Sequence, residues 1–367
     1  MAKRMSLVRK NIANLVPYQP GKPIQEVKRE MRLSNIIKLA SNENPLGGSP
    51  KARLAIKKAL GQINRYPEGG CFYLRQALSR KLRLKPNQFI FGNGSDELID
   101  IIIKTFVEED ESIITADITF LEYQIIAKTL GRRIIKVGLR DFRYDLKTIL
   151  KRINKKTKVI FIANPNNPTG TYVNKYELQK FLNKVPCRIV VVLDEAYDIF
   201  VDAPDFPRSL RYLKRRNVII LKTFSKSYGL AGLRIGYALA CPQLISYLER
   251  ARPPFNVNCL AQVAAVAALE DKVFIKETRR TILEGKDYLY RQLNRLGLPP
   301  VPSAANFILI DVGRNGQKLH KQMLKFGVIV RDMKQYGLDN FIRVTIGTPS
   351  ENKRFIEVFK KVLTKRG

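Results

Sequence analysis

The 367-residue sequence has no tryptophan, a single histidine and half as many acidic as basic residues. With only His320, zinc sites built on two or three histidines are excluded, and a Ser-His-Asp or Cys-His mechanism would have to use that one residue. The four cysteines lie far apart and form no CxxC pair, which favours free thiols over a disulfide framework or a metal site. We therefore expect a cytoplasmic protein without a metal site.

Long apolar runs are absent as well. The best candidate, residues 257–269, is interrupted by Asn258 and Gln262 and falls short of the roughly 18 apolar residues of a transmembrane helix. The basic residues 1–4 are followed by no apolar segment, so secretion is not indicated. We expect a protein that is neither membrane-spanning nor secreted.

The charge is strongly unbalanced, with 66 Lys and Arg against 32 Asp and Glu and a net charge of +34 at pH 7. Such a field attracts nucleic acid or anionic membrane nonspecifically. The cations are widely spread, with short clusters at 151–158, 211–216 and 360–366 and no long basic tail. We expect solvated basic faces that bind nucleic acid only nonspecifically. The alternative is a basic nucleic-acid-binding protein on an inherited enzyme fold.

A length of 367 residues with 45% hydrophobic and 27% charged residues indicates a folded chain with two cores. Short runs rich in Ile and Val alternate with helical patterns, which predicts an α/β fold with a mostly parallel sheet. The predicted strands lie at 89–91, 112–115, 134–137, 159–163, 189–193, 218–221 and 236–240. A helix is predicted at 97–107, and Asn174 with Glu177 forms a capping box that begins another.

From about residue 260 the pattern changes to that of a smaller α+β unit. One long helical segment is predicted at 260–296, followed by a strand at 306–310, a helix at 317–326 and strands at 328–330 and 341–346. We predict an N-terminal arm that includes part of the small domain (1–40), a large domain (41–258) and a small C-terminal domain (259–367).

Polar clusters follow several predicted strands, and the carboxyl ends of strands in such sheets are where ligands bind. The glycine turn at 92–97 leads into a helix and is a candidate phosphate site, although an ordinary capped helix has the same pattern. Residues 164–170 form a rigid turn with two X-Pro bonds. Asp194 ends a buried strand and needs a partner. Lys226 follows the next strand, with Arg234 eight residues on, and is a candidate nucleophile because desolvation and a nearby cation lower a lysine pKa.

Seven segments occur in a recognisable order: 15–21, 41–47, 65–67, 164–170, 194–197, 223–236 and 342–347. Together they resemble the fold-type I aminotransferases that use pyridoxal 5′-phosphate, over nearly the whole chain, and most closely the branch that acts on histidinol phosphate. The resemblance implies a large domain with a mixed, mostly parallel sheet, a smaller α+β domain and a homodimer with a shared active site. It implies transamination of L-histidinol phosphate with 2-oxoglutarate, giving imidazole-acetol phosphate and glutamate in histidine biosynthesis. Transamination of aromatic amino acids and decarboxylation of threonine phosphate are the alternatives.

The resemblance also assigns the reacting groups. Lys226 matches the lysine that binds the cofactor aldehyde covalently and moves a proton between the substrate α-carbon and C4′. Asp194 matches the partner of the pyridine nitrogen, and Tyr197 and Asn167 match the donors to the phenolic oxygen. Phe120 matches the aromatic residue that stacks on the ring.

The segment around Phe120 departs from the family pattern, because Asp117-Ile118 stands where a proline often precedes the Thr-aromatic pair. Core packing of Phe120 is the alternative to ring stacking.

The resemblance further implies two anion-binding groups. The cofactor phosphate is expected to contact the backbone N–H groups of Ser95 and Asp96, the side chains of Thr223, Ser225 and Arg234, and Tyr66 of a neighbouring subunit. The substrate's anionic group is expected to bind Arg343, with Tyr18, Arg331 and Asn44 nearby. For Tyr18 and Arg331, packing of the arm and an ordinary surface charge are the alternatives.

Overall fold

The computed structural model describes residues 7–364. The basic residues 1–4 and the end of the basic cluster 360–366 lie outside the described residues. The chain begins with short elements: α1 (Lys10–Ala13), α2 (Ile24–Met31), β1 (Ile37–Lys38), α3 (Pro50–Ala59) and α4 (Phe72–Leu82).

The middle of the chain alternates strands and helices. Its elements are β2 (Phe89–Gly92), α5 (Ser95–Phe106), β3 (Ser112–Ala116), α6 (Glu122–Thr129), β4 (Arg133–Val137), β5 (Leu139–Arg140), β6 (Arg143–Tyr144), α7 (Leu146–Arg152), β7 (Thr157–Ala163), α8 (Lys175–Lys184), β8 (Val190–Asp194), β9 (Val218–Thr223), β10 (Gly236–Leu239) and α9 (Pro242–Ala251). The predicted capping box begins α8: Asn174 accepts from the backbone of Glu177, whose side chain accepts from the Asn174 N–H.

Seven of these strands form one sheet in the order β2-β10-β9-β8-β7-β3-β4. All neighbours are parallel except β10, which is antiparallel to both β2 and β9. The middle residues of the central strands are apolar and buried, as in sheets covered on both faces, and Phe161, Val192 and Ile220 are fully buried. Since β2, β3, β7, β8 and β9 run in one direction, the polar residues that follow them meet at one edge of the sheet.

The rest of the chain forms α10 (Cys259–Leu269), α11 (Lys272–Arg295), β11 (Phe307–Asp311), α12 (Gly316–Leu324), β12 (Val328–Ile329), β13 (Arg331–Asp332), β14 (Phe341–Thr345) and α13 (Pro349–Thr364). An antiparallel sheet, β11-β14-β13, packs with α11, α12 and α13 around a second core. Strand β1 pairs with β12 in parallel and so joins the start of the chain to this second unit.

The single helical segment predicted at 260–296 is wrong, because the structure divides it into α10 and α11. Asp271 causes the break: its carboxylate accepts from the Phe274 N–H at the start of α11 and from the Ser49 hydroxyl at 2.6 Å. Ala261, Ala265 and Leu269 of α10 pack in the large core. Helix α10 thus packs with the large core, and the predicted domain boundary at 258/259 remains a prediction.

Candidate active site

A cavity of about 420 Å³ lies at the edge of the sheet where the parallel strands end. It is lined by most of the residues that the sequence analysis singled out: Tyr18, Ser95, Asp96, Phe120, Asn167, Asp194, Tyr197, Thr223, Ser225, Lys226, Arg234 and Arg343. The fold brings together residues that are up to 325 positions apart in the chain, from Tyr18 to Arg343. Tyr66, Asn44 and Arg331 do not line this cavity.

Lys226 lies in the turn after β9, partly buried at the wall of the cavity. Its ammonium donates to the Ser41 carbonyl at 3.2 Å. Burial and the positive charge of Arg343 lower its pKa to about 8. Gly229 lets this turn lie against the backbone at Gly47, because φ there is +67° and an added Cβ would lie 1.9 Å from the Gly47 carbonyl oxygen. An amine with a lowered pKa is available as a nucleophile near neutral pH.

Asp194, the last residue of β8, presents a buried carboxylate that is 5% exposed. Its oxygens accept from the Tyr123 hydroxyl at 2.6 Å and from the Ala196 N–H at 3.2 Å. Within residues 7–364 no Lys or Arg forms an ion pair with it, and burial raises its pKa to about 6. A buried carboxylate without a cation is costly, so this site fits a ligand that brings a protonated nitrogen.

Arg343, on β14, reaches the same cavity from the second unit. Its guanidinium donates to the side-chain oxygen of Asn167 and, at 2.9 Å, to the Ala40 carbonyl. Because arginine only donates hydrogen bonds, this contact fixes the Asn167 amide with its oxygen toward Arg343 and its NH₂ group available to the cavity. The guanidinium is buried and has no carboxylate partner in the described chain, which suits it to an anionic ligand.

One end of the cavity is formed by the start of α5. Gly94 precedes the helix, and Gly236 of β10 passes so close that an added Cβ would lie 2.7 Å from the Ser95 nitrogen. The first-turn N–H groups of this helix make a natural anion site. Arg234 also reaches this end, where it pairs with Asp96 at 3.0 Å and is 43% exposed. An exposed pair of this kind is weak and leaves the arginine free to exchange partners.

The three residues outside the cavity have clear positions. Asn44 donates to the Ser227 carbonyl at 2.9 Å and to Thr278, so it supports the turn of Lys226. The loop that carries Asn44 borders the cavity through Ser41 and Asn42, and Asn44 itself does not line it; a contact between Asn44 and the substrate remains a prediction. The guanidinium of Arg331 lies over the Tyr18 ring, 5.5 Å from its centroid.

Tyr66 is 83% exposed, and its ring stacks on Phe255 with centroids 4.8 Å apart. It therefore lies on the surface of its own chain, outside that chain's cavity. Its expected contact with a neighbouring subunit's cofactor remains a prediction.

Two further residues line the cavity and contact candidate site residues, and the sequence analysis did not single them out. Tyr123, which donates to Asp194, is fully buried and stacks on Phe161 at 4.8 Å; in the sequence it is one more apolar position of a helix. Asn42 contacts the Tyr197 hydroxyl at 3.0 Å. It lies within the segment 41–47, but only its left-handed backbone, with φ of 55°, turns it toward the cavity.

All four cysteines are free. In the part of the chain that the structure describes, no cluster of His, Cys, Asp and Glu side chains could bind a metal ion. No helix within residues 7–364 is long and apolar enough to cross a membrane.

Comparison with known proteins agrees with this geometry. The family model for class I and II aminotransferases matches residues 34–359. A histidinol-phosphate aminotransferase of Moorella thermoacetica is 50% identical over 97% of this chain and 92% of its own length. Histidinol-phosphate aminotransferase 2 of Carboxydothermus hydrogenoformans is 46% identical over 97% of this chain and 99% of its own.

Among solved structures, histidinol-phosphate aminotransferase from Sinorhizobium meliloti in complex with pyridoxal-5′-phosphate matches with a TM-score of 0.91 and 27% identity, over 99% of both chains. The predicted α/β fold and the resemblance on which it was based are confirmed. The chain belongs to the class I and II aminotransferase family.

Proposed function

We propose that the protein is a pyridoxal 5′-phosphate-dependent aminotransferase that transfers the amino group of L-histidinol phosphate to 2-oxoglutarate in histidine biosynthesis. One observation carries the cofactor assignment: a lysine with a lowered pKa and a buried carboxylate without a cation line one cavity. The substrate assignment rests on the names of relatives that are 50% and 46% identical.

The cavity residues fit this cofactor by their chemistry. Asp194 would accept a hydrogen bond from a protonated pyridine nitrogen. That nitrogen would supply the positive charge that the buried carboxylate lacks. Tyr197 and Asn167 would donate to the phenolic oxygen, and Phe120 would contact the ring. The start of α5, with Thr223, Ser225 and Arg234, would bind the phosphate. When bound, pyridoxal 5′-phosphate supplies a ring that stabilises negative charge at the substrate α-carbon.

Lys226 would perform the proton transfer. Its amine would bind the cofactor aldehyde in the resting enzyme and, once released by the substrate, take the α-proton and return it at C4′. General acid–base catalysis is most efficient when the pKa of the group lies near the working pH, and the pKa of about 8 meets that condition. The Ser41 carbonyl, 3.2 Å from the amine, accepts a hydrogen bond from it and orients it at the cavity wall.

Arg343 would bind the anionic end of both substrates in turn. Histidinol phosphate carries a phosphate and no carboxylate, whereas glutamate and 2-oxoglutarate carry carboxylates, and a guanidinium binds either group with two parallel hydrogen bonds. Tyr18 lines the cavity, and the Arg331 guanidinium lies over its ring. This arrangement supports Tyr18 and Arg331 as further contacts for the anionic end of the substrate. In an Arg343→Ala variant both half-reactions should therefore slow; loss of only one would contradict the shared role.

The decisive experiment is borohydride reduction of the purified enzyme followed by peptide mapping. The reduced cofactor adduct should lie on Lys226; an adduct on another residue, or none, would overturn the cofactor assignment. A panel of histidinol phosphate, phenylalanine, tyrosine and O-phosphothreonine, each with 2-oxoglutarate and with carbon dioxide measured, then tests the substrate. Turnover of an aromatic amino acid as fast as histidinol phosphate, or release of carbon dioxide from phosphothreonine, would replace the proposed reaction.

The proposal includes a homodimer. Tyr66 and Phe255 are exposed and stack on each other, and the sequence stretch 54–73 carries further exposed apolar side chains, namely Leu54, Leu60, Ile63, Phe72 and Tyr73. A concentration of exposed apolar side chains is typical of a protein interface, which supports a second copy that covers these residues and receives Tyr66 in its cavity. Mixing Tyr66→Ala with Lys226→Ala subunits should restore activity through hybrid dimers. No recovery, with a dimer confirmed by sedimentation, would place Tyr66 outside the partner's site.

We also place the protein in the cytoplasm, because free thiols persist in a reducing compartment and all four cysteines are free. Cell fractionation with detection of the untagged protein tests this location.

A further inference from the structure

Three consecutive residues, Ala40, Ser41 and Asn42, contact the three side chains that reach the cavity from different elements. The contacts are Arg343 to the Ala40 carbonyl at 2.9 Å, Lys226 to the Ser41 carbonyl at 3.2 Å and the Asn42 amide to the Tyr197 hydroxyl at 3.0 Å. The first two use backbone atoms. Only the third depends on the side chain of the segment itself, so position 42 has a specific chemical role.

The donor and the acceptor of each hydrogen bond around Asn42 follow from which atoms can only donate. The backbone N–H of Asn42 can only donate, and it donates to the Thr345 hydroxyl oxygen at 2.9 Å. The Thr345 proton is then directed to the side-chain oxygen of Asn42, at 3.3 Å. Because its amide oxygen is occupied in this way, Asn42 presents its NH₂ group, and not its oxygen, to Tyr197.

The hydrogen bond from Asn42 determines where the Tyr197 hydroxyl proton points. A phenol hydroxyl donates one hydrogen bond and accepts others. Since Tyr197 accepts from Asn42, its own proton points away from Asn42. Tyr197 is buried and lines the cavity, and the described residues offer that proton no acceptor. The proton therefore points into the cavity.

The backbone conformation at position 42 also restricts which residue types fit there. Its φ of 55° is a left-handed conformation that asparagine, aspartate and glycine tolerate best. The Asn42 carbonyl accepts from Asn306 at 3.1 Å, and the preceding Leu39 forms backbone hydrogen bonds to Ile329 and Thr345. The amide is therefore presented from a rigid backbone, which is what a group that orients another requires.

We propose that Asn42 is a positioning residue that directs the Tyr197 hydroxyl proton into the cavity, toward the phenolic oxygen of the cofactor. The inference rests on the proposed function, because the acceptor belongs to pyridoxal 5′-phosphate. Burial raises the pKa of Tyr197 to about 12, against the opposing effects of Arg343 and Asn42, so the hydroxyl keeps its proton over the working pH range.

The test measures the midpoint of the pH titration of the visible absorption band of the loaded enzyme, a property independent of turnover. A hydrogen bond from Tyr197 to the phenolic oxygen stabilises the deprotonated chromophore, so its loss should raise the midpoint. Complete loss of a hydrogen bond to a charged group corresponds to a shift of about one to two pH units. Asn42→Gly keeps the left-handed backbone and removes the amide, and should raise the midpoint by about half to one unit. Asn42→Asp places an acceptor opposite Tyr197 and should raise it further.

A double-mutant cycle with Tyr197→Phe separates orientation from other effects. If Asn42 acts through Tyr197, Asn42→Gly should shift the midpoint by less than about 0.2 unit in the Tyr197→Phe background. A shift of equal size in both backgrounds, or none in either, would overturn the proposal. The added charge of Asn42→Asp acts in both backgrounds, so for that variant only the difference between backgrounds reports orientation.

Thr345→Val is a second, isosteric variant that removes the group fixing the Asn42 amide. It should raise the midpoint in the same direction by a smaller amount, again only when Tyr197 is present, and it decides the case if Asn42→Gly does not fold. Thermal unfolding of each variant identifies a purely structural effect. If the unsubstituted enzyme shows no visible band and no adduct on Lys226, the proposed function has failed; a normal band that Asn42 and Thr345 variants leave unchanged contradicts only this inference.

Discussion

Lys222 and Lys226 lie four residues apart at the end of one strand and have opposite surroundings. The Lys222 ammonium contacts the carboxylates of Glu195 at 2.6 Å and Asp198 at 2.5 Å. Burial alone would lower its pKa, but these two carboxylates hold that pKa above its ordinary value. Lys226 has no carboxylate partner in the described chain, and burial together with Arg343 lowers its pKa to about 8. The same side chain is thus a permanent cation at one position and a titratable amine at the other.

The adjacent acids Asp194 and Glu195 show the same division. Asp194 faces the active-site cavity without a cation, whereas Glu195 pairs with Lys222 on the other side of the strand ends and lines a second cavity of about 430 Å³. Burial raises the pKa of both acids, and for Glu195 the Lys222 charge opposes the rise. A buried charge that is paired depends on its partner, since removal of that partner destabilises the fold, and one left unpaired is available to a ligand.

The largest expected effect is on activity, where Lys226 should matter far more than Lys222. Lys226→Ala should lower turnover by at least about 10⁴-fold, because it removes the nucleophile together with the general acid–base group. Lys222→Ala should retain most of the turnover per folded molecule. Single-turnover kinetics with histidinol phosphate measure both, and a Lys226→Ala enzyme of normal rate would refute the assignment of the site.

The next effect is on stability, where Lys222 should matter more than Lys226. Lys222→Met leaves two carboxylates without their cation, and removal of one partner from a buried ion pair costs about 3–5 kcal/mol in the free energy of unfolding. Lys226→Met removes an unpaired amine and should change that free energy by less than about 1 kcal/mol. Urea unfolding of both variants without cofactor tests this difference. Equal losses would mean that the pairing of Lys222 is not what stabilises the strand ends.

The two acids should differ in a similar way in catalysis. Asp194→Asn would remove the proposed charged hydrogen bond to the ring nitrogen, worth about 1.5–3 kcal/mol, and should slow turnover by about 10- to 100-fold. Glu195→Gln should act mainly on stability. The ratio of the two turnover numbers, measured at saturating cofactor, checks this; an equal loss in Glu195→Gln would extend the catalytic machinery to the second cavity.

The last and most gradual effect is a pH dependence of stability. The pKa of Asp194 is raised from 3.8 to about 6, so between pH 4 and 6 the folded chain binds more protons than the unfolded chain, and this group makes the fold less stable as pH rises. Relative to Asp194→Asn, the cofactor-free protein should lose up to about 3 kcal/mol across this window. Unfolding curves at pH 4, 5, 6 and 7 measure the difference; a constant difference would show that Asp194 is not desolvated.

The sequence predicted the strands of the large sheet well because each is a short stretch with apolar residues, and most of these strands are buried, rich in Ile and Val and bounded by turn residues. It also placed Asp194 and Lys226 at strand ends, where parallel strands bring distant residues together. It did not predict the break at Asp271, because a side chain that caps a helix start interrupts no periodic pattern. The sequence does not distinguish Asn42 from Asn44, because two asparagines of one segment differ only in their backbone conformation and partners.

The segment 40–42 has a consequence for how the chain tolerates change. Two of its three contacts use carbonyl groups, which any residue supplies, so side chains at 40 and 41 can vary within the available space. A deletion or insertion of one residue between Leu39 and Asn42 would instead bring the wrong carbonyl to Arg343 and to Lys226 and misplace the amide opposite Tyr197. This short segment must therefore keep its length more strictly than its residue types. Insertions or deletions there should inactivate the enzyme, whereas substitutions at positions 40 and 41 should not.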